Sequence, residues 1–478
     1  MPRHQLLHLT TLVVGALGCR DTVAPRGAPT VTNVTSSPSA TSVLAAAVRF
    51  STANADSARV LWDDADGDHG ATPFVETRAG GARVFVLGLR ASRAYTVTVE
   101  AHGARVVLSA PQSLTTGELP TEIRSLRLSA DHAGSRGLTL VAPLLPDTSI
   151  GAIGYLVAFD SLGEIRWYHA FPGMWAIEAK QQRNGHITVY TGRSYGWQPA
   201  PGQYLELDAA GETIRSFSLG TDYYTDPHEL LLTFTDTSVA ASHLIGYEFR
   251  SFDLSAFGGG TTTSLAVHVI ERRSPSGTVE FHWSAGDLFQ PSDWPFVTQL
   301  LDLDHPSSLA IDVDGNYVVS FQAMGEVTKI NATTGQVMWR LGGRHNEFTF
   351  QDDPLSSFSG QHDVQVLPNG HILLLDDQLH VIPGPARAVE YALDPAGRVA
   401  SLVWQYRPQP SVISPIMGSV QRLTSGATLV GFGAAGRVVE VSGDGTVSWS
   451  SALVMNDTRP VAFYRAIRLA SLYKYEAP

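Results

Sequence analysis

The sequence predicts an all-β chain in two parts, a small β-sandwich followed by a six-bladed β-propeller. Three observations carry that prediction. Short Val/Ile/Thr/Tyr runs recur between Gly, Asn and Asp turns, and no long Ala/Glu/Lys/Leu helical pattern interrupts them. From about Leu119 onward, one unit of strand, Gly-containing turn and strand returns six times. Three histidines, His228, His305 and His362, open three successive strand-like segments at nearly the same repeat position.

The amino-terminal end reads as a leader. A weakly basic start, MPRHQLLH, precedes an apolar stretch, LTTLVVGALG, too short to span a membrane. Residues 1–18 are therefore expected to be a signal peptide. Ala16-Leu17-Gly18-Cys19 resembles a bacterial lipobox, in which the cysteine is lipidated and becomes the new amino terminus. A plain secreted protein or an uncleaved anchor is the alternative. Cys19 is the single cysteine, so no disulfide can form within the mature chain and a large core must hold it together. Arg20, not Asp, follows the cysteine, which favours the outer over the inner membrane. Residues 19–30 read as the lipidated cysteine and a tether, facing the periplasm.

Residues 31–118 read as the sandwich, with strands in SVLAAAVRFST, SARVLWDD, ARVFVLGL and AYTVTVEAHG. Leu87-Gly88-Leu89 followed by Tyr95 resembles the tyrosine-corner region of fibronectin type III domains, within the broader immunoglobulin-like class. Such a module either binds a carbohydrate or partner, or spaces the next domain from the membrane.

Residues 119–478 carry the repeat: LVAFDSLGEIRW (156–167), YLELDAAGETIRSF (204–217), VIERRSPSGTVEFHW (269–283), TKINATTGQVMW (328–339), EYALDPAGRVASLVW (390–404) and VEVSGDGTVSW (439–449). A spacing of roughly 45–65 residues indicates a solenoid or propeller. Closing four-stranded units into a ring leaves few exposed sheet edges. Trp167, Trp283, Trp339, Trp404 and Trp449 share a repeat position, so blade packing is expected of them. FYRAIRLASLY near the carboxyl terminus is expected to close the ring beside the first blade. Between the hairpins, NGH, DGN, NGH and SGA mark turns that the dipeptides assign to type I′. The strand before each turn is the natural innermost strand, and its first residue lies at one mouth of the channel. His228, His305 and His362 occupy that place in three neighbouring blades, and Gly418 in the last.

Three converging histidines allow three readings. They can hold a metal such as zinc. They can supply a nucleophile with acid–base partners. They can merely cap strand ends. Glu229, Asp304 and Asp363 adjoin them and are the expected carboxylate supports. Four other histidines, His169, His186, His371 and His380, are expected to face solvent, while Tyr223, Tyr224 and Trp197 are candidates to stack on an aromatic substrate or to pack a loop. A net charge of −12 argues against a nucleic-acid partner.

A family resemblance narrows these readings. DLDHPSSLAIDVDGNYVVSFQAMGEVTKINATTGQVMWRLGG, GQHDVQVLPNGHILLLDDQ (360–378), RAVEYALD (387–394) and GSVQRLTSGATLVGFGAAGRVVEV (418–441) resemble the bacterial arylsulfate sulfotransferase family. The resemblance spans about Leu119 to Tyr473 and is specific within 300–441. It implies a ping-pong transferase that moves a sulfuryl group from a phenolic sulfate ester to a phenol, with no metal, no nucleotide donor and no cofactor. His362 matches the nucleophile that becomes transiently sulfated, His228 the proton-transfer residue, and His305 a residue that holds the transferring group. Two positions depart from the pattern. The family arginine falls at Gln322 in Ser320-Phe321-Gln322, and the family asparagine at Ser307. An arginine would bring a fixed charge and a fork of donors to the sulfuryl oxygens, and losing such a contact commonly costs roughly 10²–10³ in rate. Arg193 and Arg344 are candidate replacements, with Arg193, Gln322 and Ser307 expected at the substrate. A non-catalytic binding propeller and an aryl sulfate hydrolase are the competing readings. A quinone-dependent dehydrogenase is disfavoured, because neither its tryptophan-docking motif nor an adjacent-cysteine pair is seen. The donor, the acceptor and the oligomeric state stay open.

Overall fold

Alternating small and large apolar residues build the first core. A computed structural model describes residues 27–77, 80–130, 137–145, 153–193, 202–221, 223–293, 303–379, 384–456 and 459–473. The leader, Cys19 and most of the tether lie outside the described residues, as do Trp197 and His380. Strands Thr30–Pro38, Ala46–Ala53 and Gly81–Val86 form one sheet, and Ala55–Asp64 with Ala94–Gly103 centre a second. Val48, Phe50, Val60, Val97 and Val99 fill the space between them. Thr30–Pro38 was not legible as a strand because Thr, Ser and Asn dominate it. It earns its place by seven-residue pairing with Ala46–Ala53. The Tyr95 hydroxyl accepts from the Arg90 N–H at 2.8 Å and donates to Asp68 at 2.8 Å. Asp68 also takes Arg166 of the first blade at 2.8 Å, and the Leu87 N–H donates to the Tyr473 hydroxyl at 2.8 Å. The sandwich is thus docked on the propeller by polar contacts and by Leu44, Ala45 and Leu87, which join propeller cores.

The six repeats form six four-stranded sheets, two of them extended at the outer edge. The inner strands are Trp175–Gln181, Tyr224–Thr235, Pro306–Ile311, His362–Val366, Ser419–Arg422 and Phe463–Leu469, for blades two to six and then one. They pack in that order around an axis, the last against the first. Phe463–Leu469 pairs with Leu138–Pro143, so the carboxyl-terminal segment closes the ring as expected. An unforeseen strand, Leu126–Ala130, adds to the outside of blade six. Among the described residues no helix is long and apolar enough to cross a membrane.

The tryptophans pack between blades. Trp167 donates to the Ala209 carbonyl of blade two, and Trp449 donates to the Ser161 carbonyl of blade one, each at 3.3 Å. The turn assignment needs correction. Only the glycines, Gly185, Gly315, Gly370 and Gly426, have positive φ (80–87°); the preceding Asn, Asp or Ser does not. Gly185 N–H donates to Gln182 O, and Gln182 N–H to His186 O. This is a type I turn followed by a left-handed glycine, a three-residue loop rather than type I′. The Asn or Asp is selected because its side chain accepts the N–H two residues on, as Asn184 does from His186 at 3.1 Å.

Candidate active site

Each inner strand breaks its register near the mouth, between Thr225 and Leu230, Pro306 and Ser308, and His362 and Gln365 in blades three to five. Such bulges re-aim side chains. The entrances are also conformationally strained. His305, Asp363 and Met417 adopt left-handed backbone, with φ of 42°, 51° and 62°, a state that costs on the order of 1–3 kcal/mol per residue. Together these features bring the three histidines to one place. The rings of His228 and His305 meet edge to face at 5.1 Å, and the Tyr464 ring lies 5.5 Å from His228 and 6.4 Å from His362.

The protons on two of these rings follow from their neighbours. His362 Nδ1 lies 3.0 Å from the Gly360 carbonyl and 2.6 Å from Asp377 Oδ2. A carbonyl can only accept, so Nδ1 carries the hydrogen. The Met417 N–H donates to Nε2 at 3.2 Å, which makes Nε2 the lone-pair nitrogen. His228 Nδ1 donates to Asp226 Oδ1 at 2.7 Å, and the same oxygen accepts the His228 backbone N–H at 2.8 Å. Its Nε2 is likewise the basic nitrogen. Burial holds His362 well below the ordinary histidine range, with His228 and His305 adding to the effect. Burial also lowers His228, against the pull of Asp226. Asp226 would be raised by its burial, but His228 and His268 hold it well below the carboxylate range. Asp377 goes the other way, raised by burial and by Asp376. The His362 imidazole is therefore neutral and presents Nε2 at neutral pH. The acid limb of kcat/KM for an aryl sulfate is expected below the ordinary histidine range, which is centred at about 6.5 for an unperturbed histidine. A limb centred at 6.5 or above in a pH–rate profile would count against this protonation scheme.

The expected carboxylate supports are corrected. Glu229 and Asp363 follow their histidines directly, and successive strand residues point to opposite sides. They turn to the channel below, where they meet Arg465 at 2.8 and 3.5 Å. Asp304 holds His268, not His305. The carboxylates on the histidines are Asp226, two residues back and so on the same side as His228, and Asp377, from the neighbouring strand's end. Gln322 ends the equivalent strand of blade four, buried, with its backbone N–H on the His305 carbonyl at 2.9 Å. Ser307 is fully buried, and its hydroxyl bonds Ser320 and the Gln361 carbonyl at 2.9 and 2.7 Å, a strut between blades four and five. Arg193 is exposed after the second strand of blade two, and among the described residues no hydrogen bond or ion pair joins it to the histidines. Arg344 is exposed and bonds the Ser292 carbonyl.

The cation at the axis is Arg465, from the closing strand. It is buried, contacts Glu178 at 3.1 Å as well as Glu229 and Asp363, and donates to the His228 carbonyl at 3.3 Å. Lys180 joins Glu229 beside it. Burial pushes Glu178 up; Glu229, despite its own burial, is held down by Arg465 and Lys180. Tyr464, next to Arg465, donates to the Ser307 carbonyl at 2.8 Å. Below this floor lies a cavity of about 350 Å³ lined by Lys180, Glu229, Asp363, Arg465 and apolar inner-strand residues. Sequence reasoning placed the closing strand but missed Tyr464 and Arg465. Two large polar residues inside an innermost strand were the available signal. His268 gave none, being one histidine in an apolar run.

Other expectations shift. His186 and His371 are tied to Glu206 and Glu390 at 2.6 and 2.7 Å, and His169 packs between Trp167 and Phe171. None simply faces solvent. Tyr224 stacks on Tyr247 at 5.2 Å, and Tyr223 lies against His282 at 5.4 Å, both within blade three. Among the described residues no group of three or more His, Cys, Asp or Glu is arranged to hold a metal ion.

A family model described as arylsulfotransferase (ASST) matches residues 202–453, just over half of the chain. Among solved structures, a protein of unknown function from Bacteroides caccae is 14% identical, with 70% of this chain and 100% of that one covered at a TM-score of 0.41. A streptogramin B lyase is 9% identical, covering 70% and 91% at a TM-score of 0.37. A virginiamycin B lyase from Staphylococcus aureus is 7% identical, covering 68% and 88% at 0.34. A search of curated proteins found no match.

Proposed function

The chain belongs to the arylsulfotransferase (ASST) family, and on that premise we propose that it moves a sulfuryl group from a phenolic sulfate ester to a phenol through a sulfohistidine on His362. The observation that carries this reading is the protonation pattern of His362, whose Nδ1–H is held by Gly360 and Asp377, whose Nε2 lone pair accepts the Met417 N–H, and whose ring lies within electrostatic reach of His228 and His305. In the first half-reaction, Nε2 attacks sulfur, the S–O bond to the donor phenol breaks, and the phenolate leaves with the electron pair. In the second, the acceptor phenol gives its proton to His228 Nε2 and its oxygen attacks sulfur, returning the N–S electron pair to His362. His228 then returns the proton to the next departing phenolate. His305 and Gln322 flank the sulfuryl oxygens in this scheme, where alignment and donors matter most. The Met417 N–H loses its acceptor when Nε2 bonds sulfur and becomes a donor for a sulfuryl oxygen.

The same reading makes the chain an extracytoplasmic protein tethered through Cys19, supported by its leader and lipobox-like run. No nucleotide donor or metal enters the scheme. Its test is incubation of the folded protein with 4-nitrophenyl sulfate, with and without phenol, following nitrophenolate and intact mass. Acceptor-dependent release with a transient sulfate adduct on His362 supports the transferase. Release without acceptor supports a hydrolase.

One observation favours a second reading, a binding propeller of the same fold. Gln322 brings no charge to the place where the family has arginine. Gln322→Arg is expected to raise the transfer rate by roughly tenfold or more, since a charged donor is restored. Steady-state kinetics with 4-nitrophenyl sulfate check this, and a fall would mean that the site is built around glutamine.

A further inference from the structure

His268 takes no part in the chemistry above, yet it is almost fully enclosed beside it. It lies in the third strand of blade three, Thr263–Arg273, 1% exposed. Its ring bridges two carboxylates from different segments. Nδ1 is 2.5 Å from Asp304 Oδ1, and Nε2 is 3.4 Å from Asp226 Oδ2. Asp304 Oδ2 also lies 3.4 Å from the His268 backbone N–H. Asp226 is the residue that orients His228, and Asp304 immediately precedes the left-handed His305. One ring therefore joins the carboxylate that orients His228 to the residue that precedes His305 in the chain.

We infer that His268 is a positioning residue: an imidazolium clamped between Asp226 and Asp304 that fixes the Nδ1–H tautomer of His228 and anchors the turn presenting His305. The inference rests on the reading that His228 takes the acceptor's proton. Its physical basis is proton accounting. Two enclosed carboxylates cannot both stay ionised without a cation between them. With His268 charged, Asp226 remains a pure acceptor, and His228 must donate from Nδ1 and keep Nε2 as base. With His268 neutral, Asp226 would take up a proton on Oδ2 and lose its charge, and Oδ1 would become a weaker acceptor for His228 Nδ1–H. The Nδ1–H tautomer of His228 would then no longer be fixed, and the fraction with its hydrogen on Nε2 could not take the acceptor's proton. Asp226, held below the carboxylate range, also places a negative charge behind His228, which favours the imidazolium formed there during transfer. The groups facing His268 include Asp226, Asp304 and His228, with the Tyr247 ring at 5.8 Å. Burial opposes its charge, but the two carboxylates outweigh it and raise His268 to about 10.

The experiment is long-range ¹H–¹⁵N correlation on the full chain carrying ¹⁵N-histidine, with and without His268→Gln. The expected spectrum has both His268 nitrogens protonated at pH 7.5 and His228 protonated on Nδ1 alone. In His268→Gln, His228 is expected to shift to a mixed or Nε2–H tautomer. Its acceptor-dependent turnover should fall on the order of 10²-fold. The nitrophenolate burst without acceptor should stay within about threefold, because that leaving group needs no proton from His228. A merely structural role would lower both alike and leave the tautomer unchanged. A neutral His268 at pH 7.5, or an unaltered His228 tautomer in the folded variant, overturns the inference. If the variant does not fold, titration of His268 in the wild-type chain decides, and protonation lost near pH 6.5 overturns it. Absence of any sulfate transfer by the wild type would sink the transferase reading while leaving the spectroscopic answer intact.

Discussion

Replacing His362 with alanine is expected to reduce sulfate transfer on the order of 10³-fold or more, since the bond-forming nitrogen is removed rather than mistuned. The variant should still fold. His362 is buried, but its partner Asp377 is raised by its own burial and by Asp376, so deletion of the ring strands no buried charge. Nitrophenolate release and intact mass are the readouts, with near-ultraviolet circular dichroism as the folding control. Turnover near that of the wild type, or a sulfate adduct that persists in His362→Ala, would move the nucleophile elsewhere.

Replacing Arg465 with leucine should act on the fold itself. Arg465 contacts Glu178, Glu229 and Asp363 where the inner strands converge, and all three are buried. Removing one partner of a buried ion pair costs roughly 3–5 kcal/mol, because the remaining charge stays out of water. Lys180 reaches Glu229 and Glu178 and offsets part of that cost. Arg465 also belongs to Phe463–Leu469, the strand that closes the ring against Leu138–Pro143. The expected result is a lower urea midpoint and loss of activity together. Arg465→Lys should recover part of the stability, since it restores the charge without the planar fork. An unchanged midpoint in Arg465→Leu would mean that the three carboxylates are protonated or solvated without it.

The local terms were legible in the chain's residues alone. Alternating apolar residues and Gly-containing turns specify the strands. The sixfold return of one hairpin specifies the blades, and the repeat position of the tryptophans specifies their packing, seen in Trp167 and Trp449 bonding the neighbouring blade. The meeting of His228 and His305 was also legible, because inner strands that start alike must end at the same mouth. Which groups support them came from the packing of distant strands. Asp377 comes from an adjacent strand, Met417 from the next blade, Tyr464 and Arg465 from the far end of the chain, and His268 from a strand two removed within its blade. Neighbours in sequence were misleading here, since Glu229 and Asp363 turn away from the histidines they follow. A strand sends consecutive side chains to opposite faces, and a bulge changes which face is which. Local pattern therefore fixes where a side chain starts. Only ring closure, which brings distant strands to one axis, fixes what it touches and which nitrogen keeps its proton.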